Sequence, residues 1–378
     1  MLNDKLNNLI KEIKTITNND FYLEISKIKT KDNYFLIRIQ TSEPFKKYTL
    51  DKIKRLYDTY KDDAYQKKII LEDIKKLFFN NWDGAYSELT AYDLLNLIFD
   101  NPCKIQINDK KKEHTLAKYC NDAEVSDIDG YLEDAICFFE IKTLRSRLYE
   151  LINKLKSELE SRSVNDVFII QSDYPLSLEI TSDKSYSALK KEILNAKRNK
   201  ERSLASKTIR GLFFRFYYER QPVLIKSHNC ETNYQMAKRL ETLPLNQYKQ
   251  YVDGRFIKVY VCNGLNLNNN LIYNEEFFRA LARRVFCRLT NVEDVFDDNS
   301  ELSTAFIAKH LSGLLFIVDL SANIQKKIDN PKDLYKVYLY SNPNAEFANK
   351  LIGFRNFQFN LNMKNIKNTC DDFEYDNY

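Results

Sequence analysis

A short apolar run that ends in charged residues constrains the fold of this chain more than any other segment. Between Ile136 and Lys142 only Glu140 and Lys142 are charged, and two phenylalanines lie at the centre. Seven residues of this composition favour a buried β-strand over a helix. Because side chains alternate along a strand, Glu140 and Lys142 lie on one face with Phe138. Ionised groups on a buried strand need partners.

The segment before this strand carries acidic residues that can face the same side. Asp127 and Asp129 precede Gly-Tyr-Leu in a stretch that predicts a second strand, with a turn region at 132–135. A two-residue loop would put Asp127 opposite Glu140, whereas a four-residue loop would put Asp129 there. Both registers bring the acidic residues and Lys142 to one face. A three-residue loop would not, because a slip of one residue reverses every side chain.

A third carboxylate comes from a predicted helix further upstream. Helical spacing runs from Gly84 to Phe99, with Asp83 as the expected N-cap. Glu88 lies on the apolar stripe of this helix, where a carboxylate needs a partner. Two interpretations stay open. Glu88 is half exposed at the helix edge, or it points to the same site as the strand residues.

The order of these elements resembles the PD-(D/E)xK nuclease superfamily, which includes many restriction endonucleases, Holliday-junction resolvases and defence nucleases. The shared pattern is a helix glutamate, a strand at about 104–107, the strand with Ile-Asp-Gly-Tyr-Leu, and an apolar strand that ends in Glu140-Ile-Lys142. The resemblance covers roughly residues 80–172. An E-x-K motif alone is weak, and this context makes it moderately specific.

One departure from the family pattern concerns the aspartate. Where the family name has a proline before this residue, the chain has Ser126 or Ile128, so Asp127 and Asp129 both remain candidates. Asp129 is favoured, because family members usually have two or three strand residues after the aspartate.

The resemblance implies hydrolysis of phosphodiester bonds with a bound metal. That reaction needs an activated water and a positive centre near the phosphate, and a divalent ion supplies both. Oxygen ligands select Mg²⁺, with Mn²⁺ as the alternative, over zinc. The implied ligands are two strand carboxylates, one backbone carbonyl and the helix glutamate, which binds directly or through a water: Asp129, Glu140, Ile141 and Glu88. Lys142 would position or activate the attacking water.

A structural alternative needs no metal. Glu140 and Lys142 could form an ion pair on the solvent face of an edge strand, with both aspartates in a loop. The flanking helix and strand favour the site over this alternative.

The segments that follow extend the predicted core. Residues 146–161 have the spacing of an amphipathic helix, and 167–170 predict another buried strand. Strand, helix and strand in this order imply a right-handed crossover within one mixed sheet. Arg145 and Arg147 are candidates for phosphate contacts, or they pair with neighbouring carboxylates.

Charge is distributed unevenly along the chain. The net charge is only +5, so no global polycation attracts nucleic acid, but residues 190–210 hold eight basic residues against two acidic ones. This segment predicts contact with a phosphate backbone or, equally, a solvated helix face. The candidate nucleic-acid-binding residues share a positive charge near the core: Arg145, Arg147, Lys197, Arg198 and Arg202. No phosphate-binding loop motif occurs, so nucleotide-driven translocation is not encoded.

Cysteine and histidine usage narrows the chemistry and the compartment. The seven cysteines never have C-x-x-C spacing, and the three histidines are far apart. This pattern favours a reducing compartment and disfavours a zinc knuckle or a histidine-dependent nuclease. The polar N-terminus and the lack of a long apolar run predict a cytoplasmic protein without a membrane segment.

These observations predict an α/β fold with a restriction-endonuclease-like core, a mixed sheet flanked by helices, and additional N-terminal and C-terminal α+β regions. We expect three segments. Residues 1–79 form a hairpin at 21–40 plus helices, 80–210 form the nuclease core with the basic helical segment, and 211–378 form an α+β region for DNA recognition or dimerisation.

The functional expectation is a Mg²⁺-dependent endonuclease that hydrolyses DNA, with a role in restriction or antiviral defence. A homodimer and partner defence proteins are further expectations. Two alternatives stay open: an RNA endonuclease of the same fold, or a nucleic-acid-binding module without catalysis.

Overall fold

The computed structural model describes residues 2–18, 33–107, 128–145, 167–172, 183–208, 212–217, 255–267, 274–291, 295–296, 299–324, 328–342, 344–346 and 366–368, with isolated residues at 237, 240, 241, 244 and 272. All structural statements below concern these residues. None of their helices has both the length and the apolar composition needed to cross a membrane.

Helices dominate the first hundred residues and recur later in the chain. Their bounds are α1 Leu2–Thr17, α2 Tyr34–Thr41, α3 Glu43–Tyr60, α4 Ala64–Lys76, α5 Trp82–Ile98, α6 Asp183–Arg198, α7 Glu275–Asn291 and α8 Thr304–His310. The helix expected from Gly84 is confirmed as α5. Its N-cap is Asn81, and Asp83 lies in the first turn, so the N-cap prediction is wrong by two residues.

The hairpin expected at 21–40 is wrong in its second half, because that half is α2. Asn33 caps this helix: its side chain accepts a hydrogen bond from the backbone N–H of Leu36. The same side chain donates to the carbonyl of Leu77, 2.8 Å away. A cap and a tertiary anchor at one residue thus favour the helix over an extended conformation. Residues 19–32 lie outside the described part of the chain.

Twelve strands are described. Their bounds are β1 Lys104–Ile107, β2 Ile128–Leu132, β3 Cys137–Thr143, β4 Val167–Ser172, β5 Ser203–Ala205, β6 Leu212–Tyr217, β7 Arg255–Asn263, β8 Val295–Phe296, β9 Asn299–Ser303, β10 Leu311–Asp319, β11 Tyr335–Ser341 and β12 Ile366–Asn368. The strands expected at 104–107, at Asp129 and before Lys142 are confirmed.

Seven of these strands form one mixed sheet in the order β1-β2-β3-β7-β10-β11-β12. β2 is antiparallel to β1 and β3, while β3, β7 and β10 are mutually parallel. β11 is antiparallel to β10 and parallel to β12. The expectation of an α/β protein with a mixed sheet is confirmed at this level.

The crossover expected after β3 is wrong. β4 does not join β3; it pairs with β6 in a separate three-stranded sheet of β4, β6 and β5. The parallel neighbour of β3 is β7, which comes much later in the chain. An apolar strand has the same local pattern whichever sheet it joins, so sequence periodicity could not choose between them. The amphipathic segment at 146–161 lies outside the described residues.

The chain divides into two compact units. One comprises 1–144, 240–265 and 269–378, and the other comprises 145–239 and 266–268. The boundaries of these units differ from those of the three expected segments. The units are defined by contacts between residues, whereas the expected segments are drawn from sequence patterns. The seven-stranded sheet and helices α1–α5 belong to the first unit, while β4, β5, β6 and α6 belong to the second.

Helices cover both faces of the large sheet. On one face, apolar side chains of α1 to α5 share a core with strand residues such as Phe139, Ile141 and Val259. On the other face, Phe278 of α7 packs against Phe316 and Tyr338, with ring centroids 5.1 Å apart in each pair. Burial on both faces explains why the central strands are almost continuously apolar.

A buried ion pair ties α3 to the end of β10. Lys52 Nζ lies 3.0 Å from Asp319 Oδ2 and also donates to Thr90 Oγ1 at 2.8 Å. Tyr86 donates its hydroxyl to the same carboxylate, and the backbone N–H of Ser321 donates to Oδ1. Each charged atom therefore has partners, as a buried pair requires.

Candidate active site

The register of the β2–β3 hairpin decides which acidic residues share a face. Gly130 pairs with Phe139, Tyr131 with Phe138 and Leu132 with Cys137. Residues 133–136 connect the two strands. The loop therefore has four residues, which is one of the two loop lengths compatible with a shared acidic face. Extending the register by one residue sets Asp129 opposite Glu140 on the face that also carries Lys142. Asp127 lies outside the described residues.

Asp129 is fixed by a backbone donor from the neighbouring strand. Its Oδ2 accepts a hydrogen bond from the N–H of Ile141 at 2.6 Å. Burial raises the pKa of Asp129 to about 7, and the negative charge of Glu140 adds to this effect, against the lowering by the Ile141 N–H and nearby lysines. The half-buried carboxylate of Asp129 is thus held close to the buried carboxylate of Glu140, where their repulsion is costly.

Glu140 is almost completely buried, with 1% of its surface exposed. Its Oε1 accepts a hydrogen bond from Lys142 Nζ at 2.5 Å, while Oε2 is buried and has no hydrogen-bond partner among the described residues. β3 lies between β2 and β7, so the alternative of a surface ion pair on an edge strand is wrong. An unsatisfied carboxylate oxygen in a native core needs a partner, which can be a water, a ligand or an ion.

Lys142 keeps its charge in this environment. Burial lowers the pKa of Lys142, but the charge and hydrogen bond of Glu140, with the charges of Asp129 and Glu88, raise it further, so the net shift is upward. An ammonium with a raised pKa holds its proton at neutral pH. It can orient a water or stabilise negative charge, and it is a poor proton acceptor.

Lys258 is a member of the site that the sequence analysis missed. It lies on β7 in register with Glu140 and has 0% of its surface exposed. Burial lowers the pKa of Lys258 to about 7, against the raising effect of Glu140 and Asp129. The signal was present as a single lysine inside the apolar run from Phe256 to Val261, the same pattern that drew attention to β3.

Glu88 faces a second acidic residue that the sequence analysis also missed. Burial raises the pKa of Glu88 to about 9, with further contributions from Asp73 on α4 and from Asp129. Asp73 is fully buried and accepts a hydrogen bond from Lys76 at 2.7 Å. Glu88 Oε2 and Asp73 Oδ2 have no hydrogen-bond partners in the part of the chain that is described. Asp73 follows Ile70 by three residues, so its place on the apolar stripe of α4 could have revealed it.

The basic candidates belong to the second unit, which is described by itself. Arg145 is exposed directly after β3. Lys197 and Arg198 lie in the last turn of α6, where Lys197 is half-buried and Arg198 is exposed. Arg202 is exposed just before β5. Arg147 lies outside the described residues.

The carboxylates can be tested for their fit to a metal ion. Among the described residues, no group of three or more histidine, cysteine, aspartate or glutamate side chains could hold one. Asp129 and Glu140 supply two side chains, and the resemblance assigns a further ligand to the carbonyl of Ile141, which is not a side chain. The unsatisfied Oε2 of Glu140 and the hard oxygen donors fit a divalent cation such as Mg²⁺.

Comparisons of the chain with protein-family models, with curated proteins and with solved structures find no match. The functional interpretation therefore rests on the residues themselves.

Proposed function

We propose that this chain is a metal-dependent endonuclease with a restriction-endonuclease-like core that hydrolyses phosphodiester bonds in DNA. The observation that carries the proposal is the cluster of charged side chains on the neighbouring strands β2 and β3, with Glu140 buried at its centre. Asp129 and Glu140 lie opposite each other, and Lys142 donates to the glutamate whose second oxygen has no partner among the described residues.

The order of elements supports the same proposal. The helix with Glu88 is followed by β1, then by the strand with Asp129, then by the strand that ends in Glu140-Ile-Lys142. A further strand, β7, joins β3 in parallel. The order from the helix with Glu88 to the strand with Glu140 is the order that the family resemblance implies. The strand expected next, at 167–170, pairs in the other sheet, and β7 takes the place beside β3.

The residues have separable roles in this proposal. A bound Mg²⁺ or Mn²⁺ would supply a positive centre and lower the pKa of a water. Asp129 and Glu140 would hold it with the carbonyl of Ile141. Lys142, which retains its proton, would orient the attacking water and stabilise negative charge on the phosphate.

Glu88 has a different character from the strand carboxylates. With a pKa of about 9 it carries a proton at neutral pH in the metal-free site. Its proton is available to a hydrogen bond with Asp73, or is released when a cation arrives nearby. We therefore assign Glu88 the role of a ligand that forms only after it loses a proton.

The DNA substrate, the defence role, the homodimer, the partner defence proteins and the cytoplasmic location extend this proposal. The basic residues near β3 and on α6 support the DNA substrate, and the cysteine pattern supports the cytoplasmic location. The defence role, the homodimer and the partner proteins follow from the family resemblance alone. DNA contact by these residues predicts an affinity that falls steeply with salt.

The test is a cleavage assay on supercoiled plasmid, single-stranded DNA and RNA, with Mg²⁺, Mn²⁺ or EDTA. The variants are Glu140→Gln and Lys142→Met. Glu133→Gln and Lys104→Met are matched controls, because these two residues form an exposed ion pair between β1 and the turn that follows β2. We expect metal-dependent cutting of plasmid that is lost in the first two variants and kept in the controls.

Other outcomes would change the conclusion. Cutting that persists in EDTA, or that Glu140→Gln retains, would overturn the proposed site. Cleavage of RNA alone would favour the RNA endonuclease, and DNA binding without cutting under any metal condition would favour the binding module.

A further inference from the structure

Two buried lysines, Lys52 on α3 and Lys258 on β7, have different acidic neighbours. Lys52 has a complete set of partners: Thr90 and Asp319 accept its hydrogen bonds, and the ring of Tyr86 lies 4.4 Å from its ammonium. Its acidic partner Asp319 receives hydrogen bonds at both oxygens. This pair is closed and can take no further cation.

The acidic neighbour of Lys258 on β3, Glu140, is less completely hydrogen-bonded than Asp319. Lys258 is fully buried, its ammonium lies 5.3 Å from the ring centroid of Phe256, and Glu140 is its register partner on β3. Lys142 contacts one oxygen of Glu140, whereas the other oxygen has no hydrogen-bond partner among the described residues. The carboxylate is surrounded by positive charge and still has one unsatisfied oxygen.

The charges of the cluster balance without a metal. In their ionised forms, Asp129 and Glu140 contribute two negative charges, and Lys142 and Lys258 contribute two positive ones. A fully buried ammonium is costly unless acidic groups compensate for it, so the lysine and the carboxylates stabilise one another in the metal-free protein. A divalent ion at the same carboxylates would meet the repulsion of Lys258, which cannot turn into solvent as Lys142 can.

We propose that Lys258 is a positioning residue, an internal cation that holds Glu140 in place in the metal-free site and weakens the binding of the divalent ion. The inference rests on the proposed function, because it takes Asp129 and Glu140 to be the metal ligands. It adds a determinant of metal affinity to the site. The physical consequence is a chain that folds without metal and binds it only at higher concentration.

The first test measures Mn²⁺ binding to the whole chain by calorimetry, with no nucleic acid present. Lys258→Met and Lys258→Gln remove the charge, and Lys258→Arg keeps it. We expect both neutral variants to bind Mn²⁺ about tenfold tighter or more, because even a screened unit charge a few ångström away costs this much. Lys258→Arg should bind as the native chain does. Lys52→Met is the matched control: it removes another buried lysine and should leave the affinity unchanged.

The second test measures thermal unfolding of the metal-free protein. Lys258→Met should lower the melting temperature, and Glu140→Gln/Lys258→Met should melt higher than Lys258→Met, because removing both charges leaves neither unpaired. This cycle also separates charge compensation from simple loss of packing.

The outcomes distinguish the inference from the proposed function. If the native chain binds Mn²⁺, Glu140→Gln abolishes the binding, and Lys258→Met binds no tighter, the inference fails and the proposed site stands. If neither the native chain nor Lys258→Met binds Mn²⁺, both fail. If the double variant melts no higher than Lys258→Met, the compensation between Lys258 and Glu140 is refuted.

Discussion

Asp129 accepts a hydrogen bond from the backbone N–H of Ile141, with 2.6 Å between Oδ2 and the nitrogen. The paired residues of β2 and β3 end one position earlier, at Gly130 and Phe139. The side chain of Asp129 therefore continues a contact that backbone groups make elsewhere in the hairpin. This bond holds the side chain of Asp129 beside Glu140. The bond needs only an acceptor oxygen, so a neutral side chain with such an oxygen can keep the same position.

The hydrogen bond to Ile141 predicts the effect of replacing Asp129 by a neutral residue. Asp129→Asn keeps an acceptor for the Ile141 N–H and removes the charge, so the protein should fold while cleavage falls by roughly two orders of magnitude or more. Asp127→Asn should retain activity within about tenfold. The measurement is the initial rate of plasmid cleavage with Mg²⁺. A larger loss in Asp127→Asn than in Asp129→Asn would make Asp127 the ligand.

The raised pKa values predict how stability depends on pH. The pKa of Asp129 rises from 3.8 to about 7 and that of Glu88 from 4.5 to about 9. Between pH 5 and 7 the folded chain therefore binds more protons than the unfolded chain, and its stability falls as pH rises. The opposite effect of Lys258 begins only near pH 7, where its lowered pKa lies.

The measurement is the melting temperature of the metal-free protein from pH 5 to 7. We expect the native chain to lose on the order of 2 °C per pH unit relative to Glu88→Gln. Glu133→Gln, which removes an exposed glutamate, should follow the native curve. Identical slopes for the native chain and Glu88→Gln would show that the carboxyl of Glu88 is not perturbed.

The ion pair between Lys52 and Asp319 predicts a large effect on stability without a specific effect on the site. Lys52→Met leaves a buried carboxylate without its cation and should cost about 3–5 kcal/mol. Lys52→Met/Asp319→Asn should recover part of this loss, because asparagine is neutral, its carbonyl oxygen still accepts from the Ser321 N–H, and its amide NH₂ can donate to the Tyr86 hydroxyl. Chemical denaturation of the three proteins measures both effects. A double variant less stable than Lys52→Met would contradict the charge argument.

Gly130 predicts a steric requirement next to Asp129. A Cβ atom at this position would lie 2.6 Å from the carbonyl oxygen of Lys104 and would collide with the ring of Phe139. Gly130→Ala should therefore cost about 1–3 kcal/mol by overpacking. Gly84→Ala is the control, because its Cβ would meet no atom within 4 Å and alanine favours the helix. Thermal unfolding should show a loss for the first variant and no loss for the second.

The basic residues of the second unit predict a salt-dependent contribution to DNA binding. Replacing Lys197, Arg198 and Arg202 by glutamine should weaken DNA affinity and reduce the slope of log K against log salt by about 2–3. The measurement is a titration of labelled DNA at several salt concentrations. A control with the same change in charge replaces exposed lysines of the other unit: Lys61, Lys68 and Lys75. Equal effects of the two triple variants would indicate net charge alone and not a local contact.

Local patterns account for the parts of the fold that could be predicted. The alternation around Glu140 and the apolar runs of β3, β7 and β10 follow from side-chain geometry within one strand. The spacing around Glu88 likewise predicts α5 within two residues at each end. Asp129 and Glu140 share a face when the hairpin loop has an even number of residues, and the loop has four.

Contacts between distant segments decided the rest. The sequence by itself determined that Glu140 and Lys142 share one face of a strand, because that relation depends only on strand periodicity, and it put Asp129 on the same face for any loop with an even number of residues. Tertiary structure alone decided that β7 and not β4 lies beside β3, and so placed Lys258 against Glu140. It also brought Asp73 of α4 to Glu88. Burial and charge compensation between segments far apart in the chain set these relations. A local pattern shows that a segment has an apolar face, but it does not show which other segment packs against that face.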